Sequence, residues 1–286
     1  MQDEIKQILT LEIKNTKSLK TLDEKYVREK LEKFILTYGD VFKKLRKQVE
    51  KKGLNNIEKN KYFKEIVKRV RDELRIVYGS FLTDDFTKKE KIFENLDNKE
   101  EIEELLKIHK STKERIEFYD EIYEKIFDWY KPQKIADLAC GINPLTYFKI
   151  RDFVCDVEYF VSDLSSEDMS FLQSFFDKNG IKGKAGAYDI TNLDILEDND
   201  FQSSDLVFLF KALDSFETVK KNVSKELLKG IKAEKIVVSF PTKSLISKVE
   251  FKRERRNWFY NFLNKKKWKY EEFEVENELF ILIDKT

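Results

Sequence analysis

The stretch Asp137-Leu138-Ala139-Cys140-Gly141-Ile142-Asn143-Pro144-Leu145 decides how this chain is to be read. It begins on a short apolar run, Ile135 to Leu138, tightens around Gly141 and opens a helix near Pro144. Strand, tight turn and helix start make the first half of a βαβ unit. Gly141 lets the backbone approach a ligand closely, and a helix start supplies free amide donors. The next apolar run, Glu158 to Asp163, ends on a carboxylate 22 residues after Gly141, the spacing at which Rossmann-type sites hold a ribose hydroxyl. Asp189, in Ala187-Tyr188-Asp189-Ile190, stands where a third strand should end and is a candidate for an adenine amino group. Ala139 occupies the first position of the three-glycine dinucleotide fingerprint, which argues against NAD.

Working outward, residues 134 to 286 alternate short apolar runs with helical patterns. Strands are predicted at Ile135 to Leu138, Glu158 to Asp163, Asp205 to Phe210 and Lys235 to Phe240. Helices are predicted at Leu145 to Arg151, Glu167 to Lys178 and Asp214 to Leu228. Tyr270 to Val275 and Glu278 to Ile283 flank Glu276-Asn277 and predict a terminal antiparallel hairpin on an otherwise parallel sheet.

The first 130 residues are almost without Gly and Pro and read as helices, with breaks at Gly39, Gly53 and Gly79. Val27, Leu31, Phe34, Ile35 and Tyr38 recur at helical spacing after a capping box of Thr21 with Glu24. Ile66, Val67, Val70, Leu74 and Val77 repeat the pattern and leave Lys64, Lys68, Arg71 and Arg75 outside. One long helix is predicted from Ser111 to Trp129, capped by Ser111 with Glu114. The fold class is therefore α/β, a Rossmann-like sheet preceded by an α-helical domain, with domains at 1–110 and 111–286.

With 41% hydrophobic residues, 24 of them Phe, the chain has ample surface to bury. No apolar run reaches the roughly 18 residues that a membrane helix needs, and Asp3, Glu4 and Lys6 interrupt any leader; a cytoplasmic, soluble protein is expected. Cys140, Cys155 and a lone His109 assemble no metal-ligand spacing, so no metal is expected. The net charge of +1 hides segregation. Lys14 to Arg75 carries 20 basic against 10 acidic residues, and Lys229 to Lys269 carries 13 against 3. Two such blocks can converge into one surface for a phosphate backbone, with Lys14, Lys17, Lys20, Lys64, Lys68, Arg71, Arg75, Lys243, Lys248 and Arg253 as candidate contacts. Solvated helix faces account for the same charges equally well.

Five ordered blocks over the last two-thirds of the chain carry a resemblance. They are Leu105 to Arg115, Asp137 to Leu145, Asp205 to Asp214, Val238 to Leu245, and Glu278 to Leu282. The chain resembles the aminoglycoside-resistance 16S rRNA methyltransferases, which methylate N7 of a decoding-site guanine. After Leu245 it departs from them, reading Ile246 to Arg253 where many relatives have a glycine-rich basic loop.

The resemblance implies S-adenosyl-L-methionine as cofactor, S-adenosyl-L-homocysteine as product, and the small ribosomal subunit as partner of a monomeric enzyme. It implies that Arg115 pairs with the methionine carboxylate and that Ala139, Cys140 and Gly141 pass beside it. Asp163 and Leu164 would hold the ribose, Asp189 and Ile190 the adenine, and Phe210 would line the pocket. Cys140 becomes a turn residue, and His109 a packing one. Lys211, Phe240 and Lys243 follow strand ends on the target side and are expected to contact a flipped guanine; for Phe240 a core position is the alternative. Guanine N7 has a lone pair free at neutral pH, so orientation dominates and no general base is required. Methylation of another RNA position, such as adenine N1, and a non-catalytic RNA-binding module with a retained pocket are the rival readings.

Overall fold

In a computed structural model of the chain, residues 1–16, 18–77, 99–243 and 253–286 are described. Two compact units emerge: Met1–Leu82 with Leu164–Glu167, and Thr83–Asp163 with Asp168–Thr286. Gly79, Lys17 and Lys248 lie outside the described residues, as do the side chains of Val77 and Arg253.

The first unit contains helices α1 (Gln2–Lys14), α2 (Glu24–Thr37), α3 (Gly39–Lys52) and α4 (Lys61–Val77). Each turns an apolar stripe inward: Ile5, Leu9 and Ile13; Val27, Leu31 and Phe34; Phe42, Leu45 and Val49; Ile66, Val70 and Leu74. Each such side chain contributes about 1.5–3 kcal/mol by leaving water. The cap of α2 is Asp23, which accepts from the Tyr26 amide at 3.0 Å, two positions beyond Thr21 of the predicted box. Gly53 ends α3 at φ +74°, where a side chain would be strained.

The second unit opens with α5 (Lys99–Leu106), α6 (Lys110–Arg115) and α7 (Tyr119–Trp129). The predicted single helix over Ser111 to Trp129 is thus two, because the Phe118 amide turns back to the Arg115 carbonyl at 2.8 Å and interrupts the ladder. The N-cap of α6 is His109, not Ser111. Both α5 and α6, which a boundary at 110 separates, group with the sheet; helical texture alone does not tell a helix in a bundle from one on a sheet.

Seven strands follow: β1 (Lys134–Leu138), β2 (Glu158–Asp163), β3 (Gly183–Ala187), β4 (Leu206–Phe210), β5 (Lys235–Pro241), β6 (Lys269–Val275) and β7 (Glu278–Asp284). Their order is β3-β2-β1-β4-β5-β7-β6, parallel through β5 and antiparallel at β7 and β6. The predicted strands and the hairpin agree to within a residue at each end. The predicted helix over Asp214 to Leu228 is broken into Leu213–Val219 and Val223–Gly230, with Asn222 left-handed at φ +66° between them. Among the described residues no helix is long and apolar enough to cross a membrane.

The sheet has two differently used faces. Ala136, Leu138, Val207, Leu209, Val238, Phe240 and Ile281 alternate into one apolar core. The residues between them, Asp137, Phe208, Phe210, Ser239 and Phe280, point to the other face, where Phe127 of α7 packs 6.5 Å from Phe208.

Candidate active site

The strand order reverses between β1 and β4, and ligands of open α/β sheets bind beyond the strand ends at such a switch point. Here the turn after β1 is pinned to β2. The Cys140 amide donates to the Ser162 carbonyl at 3.0 Å, and the Gly141 amide donates to Asp163 Oδ2 at 2.8 Å. Ala139 and Gly141 are both left-handed, at φ +56° and +54°. A Cβ on Gly141 would lie 3.0 Å from His109 Nδ1, so the imidazole packs directly on the turn and, with the left-handed φ, favours glycine there. The Cys140 thiol is buried, which with the nearby charges of Asp137 and Asp163 pushes its pKa well up and keeps it protonated.

Of the other residues predicted to hold the cofactor, Asp189 caps a short turn, its Oδ1 accepting from the Thr191 amide at 2.9 Å and hydroxyl at 2.6 Å. Ile190 beside it is buried, and Phe210 ends β4. Leu164 groups with the first unit.

Beneath the turn runs a buried chain of polar groups that sequence reasoning did not find. Asp137, fully buried, accepts at Oδ2 from Asn143 (2.8 Å) and from the Tyr159 hydroxyl (2.7 Å), while its Oδ1 has no hydrogen-bond partner among the described residues. Burial raises its pKa to about 6, against the lowering effect of those two bonds. Asn143 accepts from Tyr119 at 2.9 Å. Arg115, 3% exposed, donates from Nε and Nη2 to the two oxygens of Glu278, both at 2.8 Å, with its guanidinium 5.0 Å over the Phe210 ring. The Ser239 hydroxyl also donates to Glu278. Lys211 Nζ lies 3.0 Å from Glu278 and 2.6 Å from Glu114. Burial opposes ionisation of Glu278, yet the Arg115 and Lys211 charges hold its carboxyl below the usual range. A cavity of about 230 Å³ adjoins this network, lined among others by Glu114, Arg115, Lys211, Asn277 and Glu278.

These contacts change two expectations. Phe240 is fully buried and packs on Phe259 at 5.1 Å in the opposite apolar core, the alternative position. Strand alternation sends Ser239, not Phe240, to the face that carries Arg115. Lys211 is 4% exposed and held by two carboxylates; it belongs to the network that lines the cavity and does not stand free toward a target base. Glu278 was visible only as a charged residue opening the apolar run Leu279 to Ile283.

A family model described as ribosomal RNA methyltransferase (FmrO) matches residues 43–283. The chain belongs to this rRNA methyltransferase family. It is 28% identical over 236 residues, 77% of this chain and 83% of the relative, to a 16S rRNA (guanine(1405)-N(7))-methyltransferase of Micromonospora rosea. A protein of the same description from Serratia marcescens is 26% identical over 185 residues, covering 64% and 68% of the two chains. Among solved structures, the 16S rRNA methyltransferase RmtF in complex with S-adenosyl-L-homocysteine superposes over 99% of both chains with a TM-score of 0.73 at 23% identity, a likeness of fold.

The basic residues of this methyltransferase differ in exposure and in what holds them. Lys64, Lys68 and Arg75 are exposed on α4 beside a groove of about 530 Å³ in the first unit. Arg71 is not available in the same way. It donates to the carbonyls of Glu12 and Ile13, the latter at 3.2 Å, and to the Glu12 carboxylate at 2.9 Å, and so caps the C-terminal end of α1. Lys14 is half-buried, whereas Lys20 and Lys243 are exposed.

Proposed function

We propose that this enzyme methylates N7 of a guanine in the decoding site of 16S rRNA within the assembled small subunit, acting as a cytoplasmic monomer that protects the site from aminoglycosides. The observation that carries the reading is the Gly141 to Asp163 hydrogen bond at the switch point of the sheet, in a chain of the rRNA methyltransferase family. S-adenosyl-L-methionine supplies the activated methyl group when bound. Asp163 accepts from its ribose hydroxyls, Asp189 from its adenine amino group, and Arg115 pairs with its carboxylate. Placement and exclusion of water are what the residues contribute, since guanine N7 needs no proton removed before it attacks. Lys243, exposed beyond β5, and the exposed lysines of α4 contact RNA phosphates.

The test is incubation with tritiated S-adenosyl-L-methionine and isolated small subunits, followed by mapping of the labelled nucleotide. A label at guanine N7 in assembled subunits, with a short hairpin of the same sequence poorly labelled, supports the reading. A label at an adenine, or none despite cofactor binding, overturns it.

A further inference from the structure

Glu278 has no assigned role, yet it is the most heavily engaged carboxylate of the second unit's buried face. A carboxylate offers about four acceptor positions, and four donors meet them here: Arg115 Nε, Arg115 Nη2, the Ser239 hydroxyl and Lys211 Nζ. Its backbone is fixed as well, because Glu278 pairs with Pro241 in the antiparallel register of β7 on β5. A group so constrained does not swing aside to admit a ligand. What it does is orient its neighbours.

The guanidinium of arginine carries five N–H donors in a rigid plane and can present two forked edges to carboxylates. The Nε and Nη2 edge is taken by Glu278. Phe210 lies against one face of the plane at 5.0 Å, and the Tyr119 hydroxyl accepts a hydrogen bond from the group as well. Rotation about the plane and tilt out of it are thus both restrained, and the edge formed by the two terminal nitrogens is the one that Glu278 does not hold.

We propose that Glu278 is a positioning residue for cofactor binding: by holding the side edge of Arg115 it aims the end edge at the carboxylate of the amino-acid tail. This rests on the reading of Arg115 as the partner of that carboxylate. Glu278 makes no contact with the cofactor itself and acts through Arg115.

The experiment compares two ligands that differ in the tail. S-adenosyl-L-homocysteine carries it; 5′-methylthioadenosine has the same nucleoside without it. Dissociation constants for both are measured by calorimetry for the wild type, Glu278→Gln, Arg115→Gln and the double variant. Glu278→Gln should weaken S-adenosyl-L-homocysteine about tenfold, a typical effect of one misplaced charge-assisted bond, and leave 5′-methylthioadenosine within twofold. The double variant should bind no more weakly than Arg115→Gln. Equal losses for both ligands would mark Glu278 as merely structural and overturn the proposal, as would additive losses in the double variant. Wild-type affinity in Glu278→Gln beside a weakened Arg115→Gln overturns the proposal and leaves the reading of Arg115 intact. An unaffected Arg115→Gln removes that reading and the proposal together. Should Glu278→Gln lose its melting transition, Glu278→Asp takes its place: it keeps the charge but shortens the reach, and unchanged selectivity between the two ligands there overturns the proposal.

Discussion

Arg115 and Glu278, 163 residues apart in the chain, form a two-bond fork with both distances at 2.8 Å, each side chain only 4% exposed. Breaking a buried pair by removing one partner typically costs about 3–5 kcal/mol when the other charge is left without compensation; here Lys211 and Ser239 stay on Glu278, so the cost is smaller. Arg115→Ala should therefore lower the midpoint of urea unfolding as well as cofactor affinity. A variant with unchanged midpoint and lost affinity would mean that water reaches Glu278 freely.

Asp163 should matter twice, since it anchors the Gly141 amide and is the proposed ribose acceptor. Asp163→Ala should weaken S-adenosyl-L-homocysteine by roughly tenfold to a hundredfold. Asp163→Asn, which keeps a carbonyl for Gly141, should fall between. Calorimetry on the three proteins decides it, and equal affinities remove Asp163 from the site.

Asp137 makes stability depend on pH. Its carboxyl titrates near 3.8 when unfolded and at about 6 when folded, raised chiefly by burial. Between those values the folded state holds a proton that the unfolded state has lost, so stability falls as pH rises through about 4 to 6, by at most about 3 kcal/mol. Asp137→Asn cannot titrate. The stability of the wild type relative to this variant should decline across that window and level off above it; a flat difference would show that Asp137 stays ionised throughout.

Arg71 and its neighbours on α4 should separate by phenotype. Arg71→Ala removes the cap on α1 and should cost about 1–3 kcal/mol of stability. Lys64→Glu with Lys68→Glu alters only exposed positions, so stability should move by less than about 0.5 kcal/mol. Affinity for the small subunit should fall in the lysine variant, with a shallower dependence on salt. Filter binding at several salt concentrations checks this, and an unchanged slope assigns these lysines to solvent.

How far the chain could be read without coordinates follows from the range of the interactions involved. Strand alternation, helix periodicity and the Gly141 turn are local signals, and they give the strands, the terminal hairpin and the place of Asp163 at the end of the second strand. The helix over Ser111 to Trp129 was read as unbroken because nothing in its spacing announces the turn at Arg115. Following a strand leaves Phe240 open to a target or a core position, and its parity on β5 puts it in the core. The network of Arg115, Glu278, Lys211 and Ser239 left no trace in spacing. Its members lie on α6, β7, the end of β4 and β5, and only sheet order and antiparallel register bring them together. Periodicity along the chain tells which face a residue takes; which charges share that face depends on strand neighbours that are distant in sequence, and the tertiary structure alone decides them.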